Sequence, residues 1–116
     1  LRILLVEDHG TTRLAIARLL RDAGAEVTPA RDGEEGLKFL LTSRFDVLLT
    51  DLRMPGMDGF ELVNHCLKLP DWRRPAKIIA ISGEYEASAL SGRPVDFLPK
   101  PFNLDALLDM IGGMPN

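Results

Sequence analysis

The sequence predicts an α/β domain in which one parallel sheet is covered by helices on both faces. Three observations lead there. Apolar runs of strand length alternate with segments of helical period five times along the chain. The runs Ile3-Leu4-Leu5-Val6, Val47-Leu48-Leu49 and Ile78-Ile79-Ala80-Ile81 are unbroken, as strands buried on both faces are. A chain of 116 residues, 46% apolar and 27% charged, can close one core but not two.

Each element has its own signal. After the first strand, Ile16, Leu19, Leu20 and Ala23 fall at i, i+3, i+4 and i+7 and predict an amphipathic helix. The segment around Val27 carries Pro29, which donates no ladder hydrogen bond, so this strand belongs at a sheet edge. Asp32 with Glu35 three residues on reads as a capping-box-like start for a helix burying Leu37, Leu40 and Leu41, with Glu34 and Lys38 paired on its wet side. The central strand at 47–49 follows. Asp58 and Gly59 open a third helix that buries Phe60, Val63 and Leu67. Beyond the strand at 78–81, residues 84–91 leave room for about two helical turns before Gly92 and Pro94, so the fourth helix is short. The segment around Phe97 carries Pro99 and supplies the other edge. Leu104, Leu107, Leu108 and Ile111 repeat the helical spacing at the end. Residues 1–111 read as the domain, and 112–116, with Gly112, Gly113 and Pro115, as the start of a linker or tail. Both ends suggest a domain cut from a longer protein.

Charge and cysteine content narrow the function classes. With 14 basic and 17 acidic residues the net charge is −3, which argues against a direct nucleic-acid contact or an anionic membrane contact. The single Cys66 cannot form an internal disulfide and reads as a small core residue. No apolar run approaches the roughly 20 residues that span a bilayer, and no signal-peptide layout is present, so the expected location is the cytoplasm.

Ligands of open α/β sheets collect beyond the carboxyl ends of the strands. Those ends carry Glu7 and Asp8 after the first strand, Asp51 after the third, Ser82 after the fourth and Lys100 after the fifth. Three carboxylates about 4 Å apart repel by roughly 4 kcal/mol per pair at an effective dielectric of 20, so the cluster calls for a cation. All-oxygen ligation suits Mg²⁺, with Mn²⁺ as a substitute, better than Zn²⁺. Lys100 and Ser82 then serve a phosphate, and a carboxylate can itself attack phosphorus to form an acyl phosphate.

Four motifs in order carry a resemblance over residues 1–111: Val6-Glu7-Asp8; Leu49-Thr50-Asp51-Leu52-Arg53-Met54-Pro55-Gly56-Met57-Asp58-Gly59; Ser82-Gly83; and Phe97-Leu98-Pro99-Lys100-Pro101-Phe102. The chain resembles the response-regulator receiver domains of two-component signalling. The resemblance implies a CheY-like, flavodoxin-like (βα)5 three-layer sandwich with a parallel five-stranded sheet in the order 2-1-3-4-5 and, in this chain, a shortened fourth helix. It makes Asp51 the phosphoacceptor and Glu7, Asp8, Asp51 and the Arg53 backbone carbonyl the Mg²⁺ ligands. It makes Lys100 and Ser82 partners of the phosphoryl oxygens, Ser82 and Phe97 the switch pair, and Lys100-Pro101 a cis peptide. The donor it implies is a histidine kinase or histidine phosphotransfer protein. The domain itself is then a phosphoacceptor that catalyses its own phosphorylation and dephosphorylation.

This sequence departs from the family pattern in three places. Glu7-Asp8 replaces the commoner Asp-Asp, which lengthens one arm and suggests ligation through water. Phe97 has no hydroxyl, so its inward state relies on burial worth about 1.5–3 kcal/mol. The interval from Ser82 to Lys100 is shorter than in most receivers, which bears on the output face. Arg53 and Glu84, each two residues beyond a site residue, are candidates for an ion pair that flanks the site and slows hydrolysis. His9 lacks a second histidine at ligand spacing, and Trp72 reads as a loop aromatic capping the core. Arg13, Arg18 and Arg21 form a stripe on the first helix, read as a solvated face close to where similar receivers meet their donors. The alternatives are a docking module that is never phosphorylated and the receiver segment of a hybrid histidine kinase. A second copy of the chain is a further candidate partner.

Overall fold

A computed structural model describes residues 1–83 and 87–112. Five strands, β1 (Arg2–Val6), β2 (Glu26–Ala30), β3 (Val47–Asp51), β4 (Lys77–Ser82) and β5 (Asp96–Pro99), form one sheet in the order β2-β1-β3-β4-β5. Every neighbouring pair is parallel. Four helices, α1 (Gly10–Asp22), α2 (Gly33–Thr42), α3 (Gly59–Leu67) and α4 (Leu104–Ile111), cover it. Pro29 and Pro99 lie in the two edge strands, where a missing N–H is tolerated.

Strand alternation sorts the core into two layers. Along β1, Ile3 and Leu5 face the layer of α1 and α4, with Val47, Leu49, Ile79 and Ile81 beside them. Leu4 and Val6 face the opposite layer, with Leu48, Ile78, Leu62 and Cys66. Burial on both faces is the reason the central runs carry no polar residue.

Two helices are rotated from the expected facing. The buried arc of α1 is Ile16, Ala17 and Leu20, and that of α2 is Gly33, Gly36 and Leu40. At about 100° per residue, Leu19 and Leu41 each lie roughly 105° from the centre of their arc. Both are exposed, at 46% and 53%, where the spacing predicted burial. In α3, Leu62 and Cys66 join Val63 in the core, while Phe60 and Leu67 are half-buried. Asp32 caps α2 by accepting the Glu35 N–H at 2.8 Å, but Glu35 reaches back to the Arg31 N–H rather than to Asp32. Trp72 is 64% exposed and does not cap the core. Phe45 fills that end of it, and Arg73 stacks on the indole from 5.5 Å. The short fourth helix is a single 3₁₀ turn over Ala87–Leu90, with Leu90 packed on Leu52 and Ala80.

Candidate functional site at the strand ends

The parallel register brings the ends of β1, β3 and β4 to one rim. Glu7 continues β1 by donating its N–H to the Ala30 carbonyl, and Asp51 closes β3 opposite Ile81 of β4. Gly59 lets α3 begin directly against this rim. A Cβ there would stand 2.1 Å from the Asp51 carbonyl oxygen, so only glycine permits that approach.

Glu7 is a carboxylate only 2% exposed. Its Oε1 accepts from Lys100 Nζ at 2.8 Å, and its Oε2 accepts the His9 N–H at 3.1 Å. Asp51 is 8% exposed. Its Oδ1 accepts the Leu52 N–H at 2.9 Å, and its Oδ2 lies 3.5 Å from Lys100 Nζ. Carboxylate oxygens of Glu7, Asp8 and Asp51 lie within 4.8 Å of one another. Asp8 is the exposed member of the three, yet its carboxyl is held above the ordinary range. Partial loss of water is the main cause, and the hydrogen bond and negative charge of Glu7 act in the same direction. Partial burial pulls the Lys100 ammonium down, but its hydrogen bond to Glu7 and the charges of Asp51 and Glu7 outweigh that and hold it above its usual value. Three acids against one lysine leave a cation-attracting centre made only of oxygen donors, which fits Mg²⁺.

Ser82, 2% exposed, ends β4, and its carbonyl accepts the Lys100 N–H at 3.0 Å, so the serine and the lysine are tied together. The Lys100-Pro101 peptide is cis, as the resemblance implied. Phe97 is half-buried against Leu52, Ala80 and Leu90. Arg53 is exposed and lines a cleft of about 450 Å³ with Asp8, Met54 and Asp58. Glu84 lies outside the described residues, and with it the expected Arg53–Glu84 pair.

Four supporting contacts escaped the sequence reading. Arg13, taken as part of a solvated stripe, donates from Nη1 to the Glu7 carbonyl at 2.8 Å, and Arg21 donates to the Val27 carbonyl at 3.0 Å. Glu34 accepts the Met57 N–H at 2.7 Å and so clamps the loop after β3 instead of pairing with Lys38. His9 caps α1, accepting from the Thr12 N–H. The only advance signal for the first contact is that Arg13 lies in the first turn of the helix that follows the acids.

A family model for the response regulator receiver domain matches residues 3–112. The chain belongs to that family. It is 36% identical over 109 residues to the DNA-binding transcriptional regulator NtrC of Klebsiella pneumoniae, covering 92% of this chain and 23% of NtrC. It is 38% identical over 111 residues to the sensor protein EvgS of Escherichia coli K12, covering 92% of this chain and 9% of EvgS. The receiver fold superposes on the chemotaxis protein CheY4 of Vibrio cholerae with a TM-score of 0.82 at 32% identity, over 96% of this chain and 95% of that one. The chain thus spans less than a quarter of NtrC and under a tenth of EvgS. It is a receiver domain of two-component signalling, a family that generally binds Mg²⁺ and works between histidine kinases and output domains. Among the described residues, no helix is long and apolar enough to cross a membrane.

Proposed function

We propose that this receiver accepts a phosphoryl group on Asp51 from a phosphohistidine donor, in a Mg²⁺-dependent transfer that changes its affinity for partners. The observation that carries the reading is the buried Asp51 carboxylate, with Lys100 Nζ at 3.5 Å on one side and the Glu7–Asp8 pair on the other. An Asp51 carboxylate oxygen forms the new bond to phosphorus while the bond from phosphorus to the donor imidazole nitrogen breaks, and its electron pair stays on that nitrogen. Lys100, kept protonated by its two carboxylate neighbours, stabilises charge on the phosphoryl oxygens. Ser82 donates to one of them, and Phe97 follows Ser82 inward.

Asp8, Asp51 and the Arg53 carbonyl would hold Mg²⁺ directly, and Glu7 through water, because both Glu7 oxygens already accept hydrogen bonds. When bound, Mg²⁺ neutralises the phosphoryl oxygens as they approach the acids. Arg13 and the His9 N–H fix Glu7 at the carbonyl and at Oε2, so its carboxylate keeps Lys100 aimed at Asp51. The same reading takes residues 1–111 as the domain and 112–116 as the start of a linker, and places the receiver in the cytoplasm.

Acetyl phosphate with Mg²⁺ should add the mass of one phosphoryl group to the intact protein, and Asp51→Asn should abolish the gain. The lone 3₁₀ turn at Ala87–Leu90 favours one alternative, a docking module that is never phosphorylated. An unchanged mass with the native chain supports that alternative and refutes the proposal.

A further inference from the structure

The opposite rim of the sheet carries the reverse charge. There the starts of β1, β3 and β4 meet the loop after α3, and Arg2, Arg44, Arg73 and Arg74 line one depression of about 260 Å³ with Phe45 and Trp72. Two carboxylates share it and offset two of the four positive charges. Asp46 Oδ2 is held by the Arg2 backbone N–H at 2.7 Å. Asp71, with its side chain 95% exposed, pairs with Arg74 at 3.3 Å.

The arginines are held in place largely by contacts that leave their charge unopposed. Arg73 donates to the Leu40 and Ser43 carbonyls at 3.4 and 3.5 Å and stacks on Trp72. Arg2 lies over the Phe45 ring at 5.3 Å. Arg44 is exposed and, among the described residues, makes no ion pair. Arg74 keeps a buried Nε without a hydrogen-bond partner. On a chain of net charge −3, this is a local excess of two positive charges around a large exposed aromatic.

We propose that this rim is a docking surface for a short Asp/Glu-rich segment of a partner protein. Charge complementarity selects an acidic occupant, and guanidinium forks pair with carboxylates two bonds at a time. The net negative charge of the rest of the chain favours a short segment, which covers only the patch, over a nucleic acid or a membrane, which would meet the acidic remainder. A five-residue strand separates this rim from Asp51, about 16 Å at the usual rise, so the surface stays open whether or not the strand-end site is engaged.

Trp72 is the one tryptophan, so its emission reports the surface directly. The probe is a synthetic Asp/Glu-rich peptide carrying one leucine, titrated into the 116-residue chain at low salt. Its neutral Asn/Gln counterpart, single-stranded DNA and phosphatidylcholine–phosphatidylglycerol vesicles are the comparisons. The expected result is a saturable emission change with the acidic peptide alone. Affinity should fall about tenfold or more in Arg44→Glu and with added salt, and should hold in Arg31→Glu, which removes the same charge at the far rim. No emission change at millimolar peptide overturns the proposal. So does equal binding of the neutral peptide, equal loss in Arg31→Glu, or tighter binding of the DNA or the vesicles. A circular-dichroism melt of Arg44→Glu that matches the parent ties the loss to the surface rather than to unfolding.

Discussion

Replacing Lys100 with methionine keeps the unbranched stem up to the ammonium and removes the charge from between two buried carboxylates. At an effective dielectric of 20, an ammonium at 2.8 Å from Glu7 and 3.5 Å from Asp51 interacts with them by about 6 and 5 kcal/mol before desolvation is counted. Lys100 is 29% exposed on its side chain, so solvent screens part of this, and the partial burial of its own charge opposes it further. What remains is the cost of leaving Glu7, 2% exposed, without its partner, about 3 kcal/mol. Urea unfolding in EDTA at pH 7 should show the Lys100→Met midpoint lowered by roughly 1–3 M, since m for a chain of this size is about 1–3 kcal/mol/M. The sign of the pH effect follows from the raised pKa of Lys100. The stability it contributes is fully present below its unfolded value and is lost as pH rises through the folded one, so the gap between parent and variant closes only in strongly alkaline solution. Calorimetry should find Mg²⁺ bound at least as tightly by the variant, because a repelling cation has gone, while acetyl phosphate no longer adds mass. Equal midpoints at pH 7, or a loss of Mg²⁺ binding, would refute the reasoning that Lys100 holds Glu7 and Asp51 rather than the metal.

Gly59→Ala should lower stability by about 1–3 kcal/mol or more, because the new Cβ meets backbone, the Asp51 oxygen at 2.1 Å and Leu52 Cα at 2.6 Å, and neither can rotate away. A lower melting temperature together with weaker Mg²⁺ binding checks it. Burial pushes the Cys66 thiol up to about 11 against a weaker opposing pull from Arg74, so the native chain should be inert to a thiol reagent at pH 8 and react fully in denaturant. Reaction in the native state at the rate of the unfolded one would contradict that burial. Leu40→Ala should cost about 2–5 kcal/mol and Leu41→Ala well under 1, a contrast that chemical denaturation reads directly.

The membership of the acidic rim was legible in the residues themselves, whereas the full strand order followed from the family resemblance. In a parallel sheet every strand ends on the same side, so residues immediately after apolar runs are neighbours whatever the helices do. Glu7, Asp8, Asp51, Ser82 and Lys100 follow from that alone, and Pro29 and Pro99 mark the edges by what they cannot donate. The rotation of α2 was not legible, and the reason lies in glycine. The buried arc of α2 is centred by Gly33 and Gly36, where a Cβ would meet Met57 O at 2.4 Å and Val6 Cγ2 at 2.9 Å. A count of apolar side chains gives these positions no weight, so it turns the helix toward Leu37 and Leu41, away from the two residues that let it sit down on β1 and on the loop after β3. On the same helix Glu34, expected to pair with Lys38, stays exposed and reaches over the loop after β3, where it takes the Met57 N–H. A close approach made by the absence of a side chain therefore decides both which leucine is wasted on solvent and which carboxylate steadies the loop beside Asp51.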